Sequence, residues 1–375
     1  MGREPVVIVG GGIGGLTTAL SLLQLGVECA VYERAPELHE VGSGVGLWPS
    51  AVRVFDRVGL GDQVRALSGD WNITGVRSKS GRLLSGYSKE QFVKRLGEPL
   101  CGVHRGELQM VLANALPEGV LHTGRECASV DIHTDRVEVR FVEGDPVVGR
   151  VVITADGNRS VVRRTLFGDD KPLRDLGMLG WRGTLIDPPD FGGFNGEIWG
   201  NGASFGFLPM SNNRVSWFGG ADGNPPANKD FLRERFADWF DPIPEVIAKT
   251  DDNMIWYDRI YDMTPRRHWV KGRVALLGDA AHPMSPFLGQ GACQAVLDAW
   301  VVADELAKSA DDEAALVRFQ RRRWRLASAV QLAAHGGVAS ARPRPRWMQP
   351  LVESSVRAVT NAVSLLGLSL LARGV

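Results

Sequence analysis

The sequence contains few cysteines and no excess of either charge, and both features exclude classes of protein. Its four cysteines, at positions 29, 101, 127 and 293, show neither close pairing nor the spacing of metal ligands. That pattern argues against a disulfide framework or a zinc site and favours a reducing compartment. Lys plus Arg and Asp plus Glu both total 43, so the net charge is +0. No global field would attract nucleic acid or an anionic membrane, and we predict no metal and no nucleic-acid partner.

Long hydrophobic runs are also missing. The most apolar tail, residues 356–371, is interrupted by Arg357, Thr360 and Asn361 and falls short of the roughly 20 apolar residues of a spanning helix. We predict a helix packed on the body of the protein, with a weak membrane-surface contact as the alternative. The N-terminus passes directly into the apolar run at residues 6–9, which leaves no room for a secretory leader. The expectation is a cytoplasmic protein without stable membrane insertion.

The remaining composition is that of a globular protein with two units. The chain has 375 residues, of which 44% are hydrophobic and 23% charged, enough for two hydrophobic cores. Residues 177–265 contain short aromatic and β-branched runs separated by Gly, Asn and Pro. Such segments predict a mostly antiparallel sheet.

A glycine run, residues 10–15, follows the apolar run at residues 6–9. A continuously apolar run is typical of a parallel strand buried on both faces, and the residues after the glycines show helical spacing. In such a unit Gly10 makes the tight turn, Gly12 lets a pyrophosphate approach the backbone, and Gly15 packs the helix on the strand. The phosphates then meet unpaired N–H groups and the positive end of a helix. The pattern predicts a dinucleotide site that includes Ile13 and Gly14.

A second predicted strand, residues 29–32, ends in Glu33 and is followed by Arg34. Glu33 lies about twenty residues beyond the glycine run, where a carboxylate accepts hydrogen bonds from an adenosine ribose. These features alone do not decide between NAD and FAD.

Two later segments bear on that choice. Residues 151–153 form another apolar strand pattern and run into Asp156, and residues 274–277 run into Asp279. At the carboxyl end of a strand, Asp279 is placed to hold a ribityl hydroxyl. The glycine-rich loop at 286–291 opens a helix, whose N–H groups and dipole favour the anionic edge of a reduced flavin. Each Asp could instead cap its own turn.

With these motifs the sequence resembles the group A flavoprotein monooxygenases, single-chain aromatic hydroxylases similar to para-hydroxybenzoate hydroxylase. The three motifs occur in the family's order and cover the chain to roughly residue 305. The resemblance implies non-covalent FAD, with NAD(P)H as a transient co-substrate. In that family NAD(P)H reduces FAD, O2 then gives a C4a-hydroperoxide, and its distal oxygen is transferred to the substrate. The flavin carries this chemistry, so no catalytic side chain is assigned beyond it.

The resemblance also implies roles for individual residues. Asp156 and Arg159 would contact FAD and NAD(P)H, Asp279 the ribityl chain, and Arg105, with Gln109 one turn on, the ribityl or phosphate region. The predicted cofactor-binding residues are Gly10, Gly12, Ile13, Gly14, Gly15, Glu33, Arg34, Arg105, Gln109, Asp156, Arg159, Asp279, Gly291 and Ala292. The predicted flavin loop comprises Pro286, Gly289, Gln290 and Gly291.

In the resembled family the antiparallel sheet covers the flavin and lines the substrate pocket. The predicted pocket residues are Trp48, Trp181, Phe205, Phe207, Met210, Trp217 and Phe287, with ordinary core packing as the alternative for each. Arg182 either anchors a substrate oxygen or forms a surface pair. His282 is interpreted as a loop histidine, with a general base or metal ligand as the alternative.

These features favour hydroxylation or epoxidation of a small, largely apolar aromatic substrate by a monomer or homodimer. The alternatives are a Baeyer–Villiger-type or other FAD oxidoreductase of the same fold, and a non-catalytic FAD-binding protein that sequesters a ligand.

The predicted fold class is α/β, or α+β with two domains. A discontinuous Rossmann-like FAD-binding domain would comprise residues 1–72, 98–176 and 266–325. A mostly antiparallel substrate-binding sheet would comprise 73–97 and 177–265, and a C-terminal helical segment 326–375.

Overall fold

The computed structural model describes residues 4–38, 43–168, 172–200, 202–338 and 342–343. The apolar tail at 356–371, predicted as a packed helix, lies outside these residues. The strands are β1 (Val6–Val9), β2 (Cys29–Tyr32), β3 (Gly44–Leu47), β4 (Ile73–Ser78), β5 (Leu83–Ser88), β6 (Cys101–His104), β7 (Leu121–His122), β8 (Cys127–Ile132), β9 (Val137–Phe141), β10 (Val147–Gly149), β11 (Val151–Thr154), β12 (Arg174–Ile186), β13 (Phe194–Gly200), β14 (Ala203–Met210), β15 (Arg214–Asp222), β16 (Ile255–Asp262), β17 (Val270–Lys271) and β18 (Val274–Leu276). The helices are α1 (Ile13–Gln24), α2 (Pro49–Arg57), α3 (Gly61–Ala66), α4 (Lys89–Leu96), α5 (Arg105–Asn114), α6 (Val161–Phe167), α7 (Lys229–Phe236), α8 (Ile243–Lys249), α9 (Gly291–Ala307) and α10 (Asp312–Val338).

A six-stranded sheet in the order β17-β18-β11-β1-β2-β7 forms the first unit. Its strands pair in parallel except for β17, which runs antiparallel to β18. Every residue of β1 and β11 is buried, as expected of parallel strands covered on both faces. The predicted Rossmann-like unit is therefore present. Because β1, β11 and β18 are adjacent and parallel, the three sequence motifs that follow them meet at one edge of the sheet.

A seven-stranded sheet in the order β16-β12-β15-β14-β13-β4-β5 forms the second unit. All its pairings are antiparallel except that of β13 with β4, in agreement with the predicted mostly antiparallel sheet. One face of this sheet packs on α7 and α8, and we call it the helix face. On the opposite face the backbone N–H of Gly44, in β3 of the first unit, donates to Ser216 Oγ at 2.8 Å.

The strands of the second sheet span residues 73–88 and 174–262, within three residues of the predicted start at 177. The predicted boundary between residues 325 and 326 falls inside α10, which continues unbroken from 312 to 338. Helix α10 packs against α9 and the 286–288 turn, and its last residues also contact β12 and β16, where His335 pairs with Asp262. The domain boundaries stay predictions. Among the described residues, no helix is both long enough and apolar enough to cross a membrane.

Candidate active site

The glycine turn between β1 and α1 is fixed by backbone contacts. Gly10 has φ +107°, and a Cβ at this position would lie 2.4 Å from the carbonyl oxygen of Ala155. A Cβ on Gly15 would lie 1.9 Å from the carbonyl oxygen of Gly10. By contrast, no heavy atom of the described residues lies within 4 Å of the Cβ position of Gly12. Gly10 and Gly15 therefore close the turn, while Gly12 leaves open space in front of the helix.

Helix α1 offers its positive end to that space. It has no side-chain cap and no acidic residue in its first turn, so its first N–H groups lack side-chain acceptors. Such an end binds phosphate. Gly14, on the other side of the turn, packs between Leu277 and Ala295, whose side chains lie 3.0 and 3.2 Å from its Cβ position.

Two side chains hold the glycine turn from outside. Glu33 Oε2 accepts from the N–H of Gly11 at 2.6 Å, and Oε1 accepts from the N–H of Ala35 at 2.9 Å. Gln109 Nε2 donates to the carbonyl oxygen of Gly11 at 2.7 Å. The predicted Glu33 and Gln109 therefore lie at the glycine run despite their separation in sequence.

Asp279 follows β18 and stands at the same edge of the sheet. Its side chain is accessible to solvent, yet protein surrounds it closely enough that burial raises the pKa of its carboxyl, against the lowering effect of His282, Arg105 and Arg163. An accessible carboxyl with this much protein around it lies in the wall of a cleft. The predicted Arg105, exposed at the start of α5, is close enough to influence Asp279.

The N-terminus of α9 completes this edge. The helix begins at Gly291 without a side-chain cap or an acidic residue in its first turn, and a Cβ on Gly291 would lie 3.8 Å from Asp279 Oδ1. Gln290 is buried, and its Nε2 donor has no partner among the described residues. Pro286 and Gly289 are exposed in the preceding loop, and Ala292 is half-buried. The loop thus presents donors and a positive helix end to the cleft.

Strand pairing groups another set of side chains on one face of the second sheet. On the face of the second sheet that carries Ser216, which we call the cleft face, one row of cross-strand neighbours runs through Val76, Glu197, Gly206, Phe218 and Arg182. A Cβ on Gly206 would lie 2.4 Å from the Phe218 ring, so the glycine makes room for that ring. Phe218 and Glu197 are only partly buried, whereas Ser216 is covered by β3.

Four predicted pocket residues lie on the other side of the sheet. Trp181, Phe205, Phe207 and Trp217 are each at most 1% exposed and pack with Phe236 of α7 and its neighbours. Side chains alternate between faces along a strand, and the parity of these four points to the helices. The expectation that they line the pocket is therefore corrected to the alternative, core packing.

The other three predicted pocket residues lie outside the helix-face core. Trp48 is half-buried and packs against Phe92 of α4, with ring centroids 5.8 Å apart. Phe287 is half-buried and packs against a small cluster on β12 and β16. Met210 is 2% exposed at the far end of β14, where its backbone meets Gly69. Trp48 and Phe287 are thus partly exposed and Met210 is buried, and contact of these three with the substrate stays a prediction.

Comparison with known proteins identifies the family. A family model described as "FAD binding domain" matches residues 3–333. The chain is 36% identical over 323 residues to an aurachin C monooxygenase/isomerase of Stigmatella aurantiaca, covering 84% of both proteins. The chain belongs to the group A FAD-dependent monooxygenases. It is an enzyme of the aromatic hydroxylase type, and FAD is its cofactor.

Other members agree in sequence and in fold. An FAD-dependent urate hydroxylase of Klebsiella pneumoniae is 31% identical over 329 residues, which is 84% of this chain and 85% of the relative. The solved structure of Klebsiella pneumoniae HpxO with FAD and uric acid superposes with a TM-score of 0.89 at 27% identity, covering 98% of this chain and 97% of that one.

In this monooxygenase the segment after β11 is held in place by capping. Asp156 Oδ2 accepts from the N–H of Val161 at 2.9 Å, the turn-capping role that was the structural alternative for this residue. Burial raises the pKa of its carboxyl, although bonds to Ser160 and the backbone oppose that rise. Arg159 and Arg34 are exposed near the cleft edge without a side-chain contact that fixes a role. Contact of these three with FAD or NAD(P)H stays a prediction.

His282 lies inside the monooxygenase core behind α9. Its Nε2 is 2.6 Å from Asp298 Oδ2, and Arg323 Nε donates to Asp298 Oδ1 at 2.6 Å. Burial alone would raise the pKa of Asp298, but His282 and Arg323 hold it below its usual value. Within the described residues no group of His, Cys, Asp and Glu is arranged to hold a metal. The histidine therefore joins the flavin loop to α9 and α10.

Cys293, in the first turn of α9, also has a packing role. Its Sγ accepts from the N–H of Trp48 at 3.3 Å and donates to the carbonyl oxygen of Gly46 at 3.4 Å. The thiol is fully buried, and burial raises its pKa to about 12. It links α9 to the start of α2 and does not enter the cleft.

Sequence reasoning missed two residues that the fold brings to the site. Arg163 is buried, and its Nη1 donates to the carbonyl oxygens of Asp279 and Ala280 at 3.3 and 3.0 Å. It thereby ties the segment after β11 to the segment after β18. Its place in the sequence, shortly after Asp156 and Arg159, was the only signal of this role. Glu197 on the cleft face had no signal, because a single Glu in a strand is usually solvent-exposed.

Proposed function

We propose that this monooxygenase inserts one oxygen atom into a largely apolar aromatic ring held between the flavin and the cleft face of the second sheet. This proposal rests on the residues that make up that face. Phe218 lies beside Gly206, and Trp48 closes one side. The row has one cation, Arg182, which pairs with Asp258 at 2.5 Å. A flat apolar ring therefore fits this surface better than an anionic one.

The protein's own groups bind and orient the reactants. FAD, once reduced by NAD(P)H and supplied with O2, provides an electrophilic oxygen atom. We propose that the end of α1 binds the FAD pyrophosphate and that Asp279 accepts from a ribityl hydroxyl. The uncapped end of α9, with Gln290 Nε2, would hold the polar edge of the flavin ring. These placements rest on the open space at Gly12, the accessible Asp279 and the unpartnered Gln290 donor.

The names of the relatives include urate and aurachin C, so family membership alone leaves the substrate open. Urate is a small, polar, ionisable purine. In this chain Ser204 occupies the cleft face next to Trp199 and Gly220 in the pairing. A neutral Ser there supplies no charge for an anionic purine, in keeping with an apolar substrate.

The test is substrate-stimulated turnover with isotopic product analysis. The FAD-loaded enzyme would be offered NADH or NADPH with a panel of bicyclic and monocyclic apolar aromatics, and with uric acid as a polar comparison. We expect stimulated NAD(P)H oxidation and a product that gains one atom of 18O from 18O2, with no stimulation by uric acid. Tight binding of aromatics without any oxygenated product would instead support the sequestering protein. Turnover of uric acid alone would contradict the apolar substrate.

A further inference from the structure

Glu197 occupies the centre of the cleft face. Its neighbours on the adjoining strands are Val76 on β4 and Gly206 on β14, and the Phe218 ring lies over Gly206. Since Gly206 has no side chain, nothing on that strand separates the Glu197 carboxyl from the Phe218 ring. A planar ring resting on Phe218 would therefore have its edge beside the carboxyl.

The carboxyl has one donor from the protein. Trp199 Nε1 donates to Glu197 Oε2 at 2.7 Å. Within the described residues Oε1 accepts no hydrogen bond, and no cation pairs with the group. Of the charged and titratable side chains on the neighbouring strands, Arg182 is three strands away and bound to Asp258, and Tyr87 lies two strands away on β5. Arg77 on β4 points to the helix face, over the Phe194 ring.

The contacts of Glu197 within the protein do not explain why this residue is a glutamate. Burial raises the pKa of Glu197 to about 7, with the Trp199 bond opposing the rise. Burying a carboxylate without a cation is costly, and a neutral glutamine would accept the Trp199 bond equally well. The carboxyl is nevertheless partly accessible from the cleft, so a ligand donor can reach Oε1.

We propose that Glu197 binds an N–H or O–H group on the substrate ring and accepts its proton during oxygen transfer. This inference rests on the proposed function and names the substrate class: a largely apolar aromatic with one ring-bound donor. As the ring carbon bonds to the incoming OH, the electron pair comes from the ring nitrogen or oxygen, and that N–H or O–H bond breaks toward Glu197. The O–O bond of the oxygen donor breaks in this step, and the oxygen that stays on the donor takes up the proton that the carbon then loses. Glu197 returns its own proton to the heteroatom. Glu197 thus ends the reaction in its starting state.

Methylated probe pairs test the donor. The pairs are indole with 1-methylindole, 2-naphthol with 2-methoxynaphthalene, and 4-quinolone with 1-methyl-4-quinolone. Flavin absorbance titration would give Kd, and mass spectrometry would detect oxygenated product. For at least one pair we expect the donor to bind about tenfold more tightly than its methylated partner, as one charge-assisted hydrogen bond provides.

The variant Glu197→Gln should remove this preference. Its Oε1 can still accept from Trp199, while its amide N–H2 faces the ligand and cannot accept a hydrogen bond. The matched control is Glu245→Gln, an exposed residue on α8 beyond the helix face, which should keep the full preference. In the wild type the affinity for indole should rise with pH through about 7 as Glu197 ionises, and in Glu197→Gln it should be flat.

The outcomes separate this inference from the proposed function. Equal binding of both members of every pair, or binding of none of the donors, would overturn the role of Glu197. Oxygenated products from both members of a pair at equal rates would do the same while upholding the monooxygenase activity on apolar rings. A donor preference that Glu197→Gln abolishes, without product from any compound, would uphold Glu197 and contradict the proposed function.

Discussion

At the scale of single residues, the site contains carboxylates whose roles differ because their surroundings differ. Glu33 accepts two backbone N–H bonds and orders a turn. Asp279 is accessible at the sheet edge where we propose that FAD binds. Among the described residues, Glu197 has one indole donor and no paired cation, so its ionisation is sensitive to burial. Surroundings, rather than residue type, therefore decide the role of each carboxyl.

We expect Glu33→Gln to weaken FAD binding by about tenfold. The amide can replace only one of the two accepted bonds and loses the charge that strengthens both, a loss near 1.4 kcal/mol. Quenching of FAD fluorescence on titration into apoprotein would measure Kd. Glu37→Gln, an exposed position on the same loop, is the control and should bind like wild type. Unchanged affinity in Glu33→Gln would remove Glu33 from the cofactor site.

The raised pKa of Glu197 predicts a pH dependence of stability. The folded state holds the proton up to about pH 7, whereas a normal Glu releases it near 4.5. The contribution of this group to stability is therefore fully present below about 4.5 and is lost as pH rises through about 7. Melting temperatures of wild type and Glu197→Gln apoprotein should diverge progressively across that window. Parallel curves would show that Glu197 has an ordinary pKa.

At the scale of elements, short connections position the site. The turn between β1 and α1 is closed by two glycine contacts and left open at a third glycine. The flavin loop before α9 is joined to α10 through a buried ionic network. Both connections aim a helix N-terminus at the cleft.

Two glycine-to-alanine substitutions should affect different properties: Gly15→Ala the stability of the fold, and Gly12→Ala the affinity for FAD. Gly15→Ala places a methyl 1.9 Å from the Gly10 carbonyl oxygen, so we expect a lower melting temperature of the apoprotein. Gly12→Ala meets no heavy atom within 4 Å and has a φ of −77° that alanine adopts freely. It should keep the wild-type melting temperature but bind FAD roughly tenfold more weakly, because its methyl occupies the phosphate approach. Wild-type FAD affinity in Gly12→Ala would place the phosphates elsewhere.

Asp298→Asn should destabilise the protein by about 3 kcal/mol or more, because it leaves Arg323 and His282 buried without their counter-ion. Denaturant unfolding would measure the loss. The comparison variant is Asp238→Asn, which breaks an exposed pair with Lys79 and should cost less than about 1 kcal/mol. The lowered pKa of Asp298 means that its contribution is present above the unfolded value of 3.8 and is lost as pH falls below it. A similar small effect of both variants would contradict the network's role.

At the scale of the whole molecule, the proposed site draws its residues from distant parts of the chain. The glycine turn, Asp279 and the flavin loop come from the first unit, and the row through Glu197 and Phe218 from the second. Burial around them is extensive enough to cover all four cysteines, which are at most 8% exposed. Thiol reactivity therefore reports the integrity of the cores that contain these cysteines, which lie outside the second sheet.

The native protein should not react with a thiol reagent at pH 8. All four thiols are free and buried, and burial raises their pKa values to about 11 or 12. The reagent therefore cannot reach the thiols, and their raised pKa values leave little of the reactive thiolate at pH 8. In guanidinium chloride we expect four equivalents of reaction with Ellman's reagent. Rapid reaction of even one native thiol would indicate an opening of the core around it.

The sequence by itself determined the cofactor side of this protein. The glycine run, the buried strand before it and Glu33 are local features, since φ above zero at Gly10 and the close contact at Gly15 admit only glycine. The parallel order of strands then brings Asp279 and α9 to the same edge. The strand, the turn and the helix formed as expected because they depend on a few neighbouring residues, while the contacts of Glu33 and Asp279 with FAD stay predictions.

Only the tertiary structure decided the substrate side. Alternation along a strand defines two faces, but it does not say which one meets the flavin. Helices α7 and α8 pack on the face that carries Trp181, Phe205, Phe207 and Trp217. Strand β3 contacts the opposite face, which we propose as the wall of the substrate site. That packing buries the expected pocket aromatics in the core and leaves Glu197 and Phe218 partly exposed on the face that we propose for the substrate. The strand pairing that aligns those two residues joins segments distant in sequence, which no local pattern records.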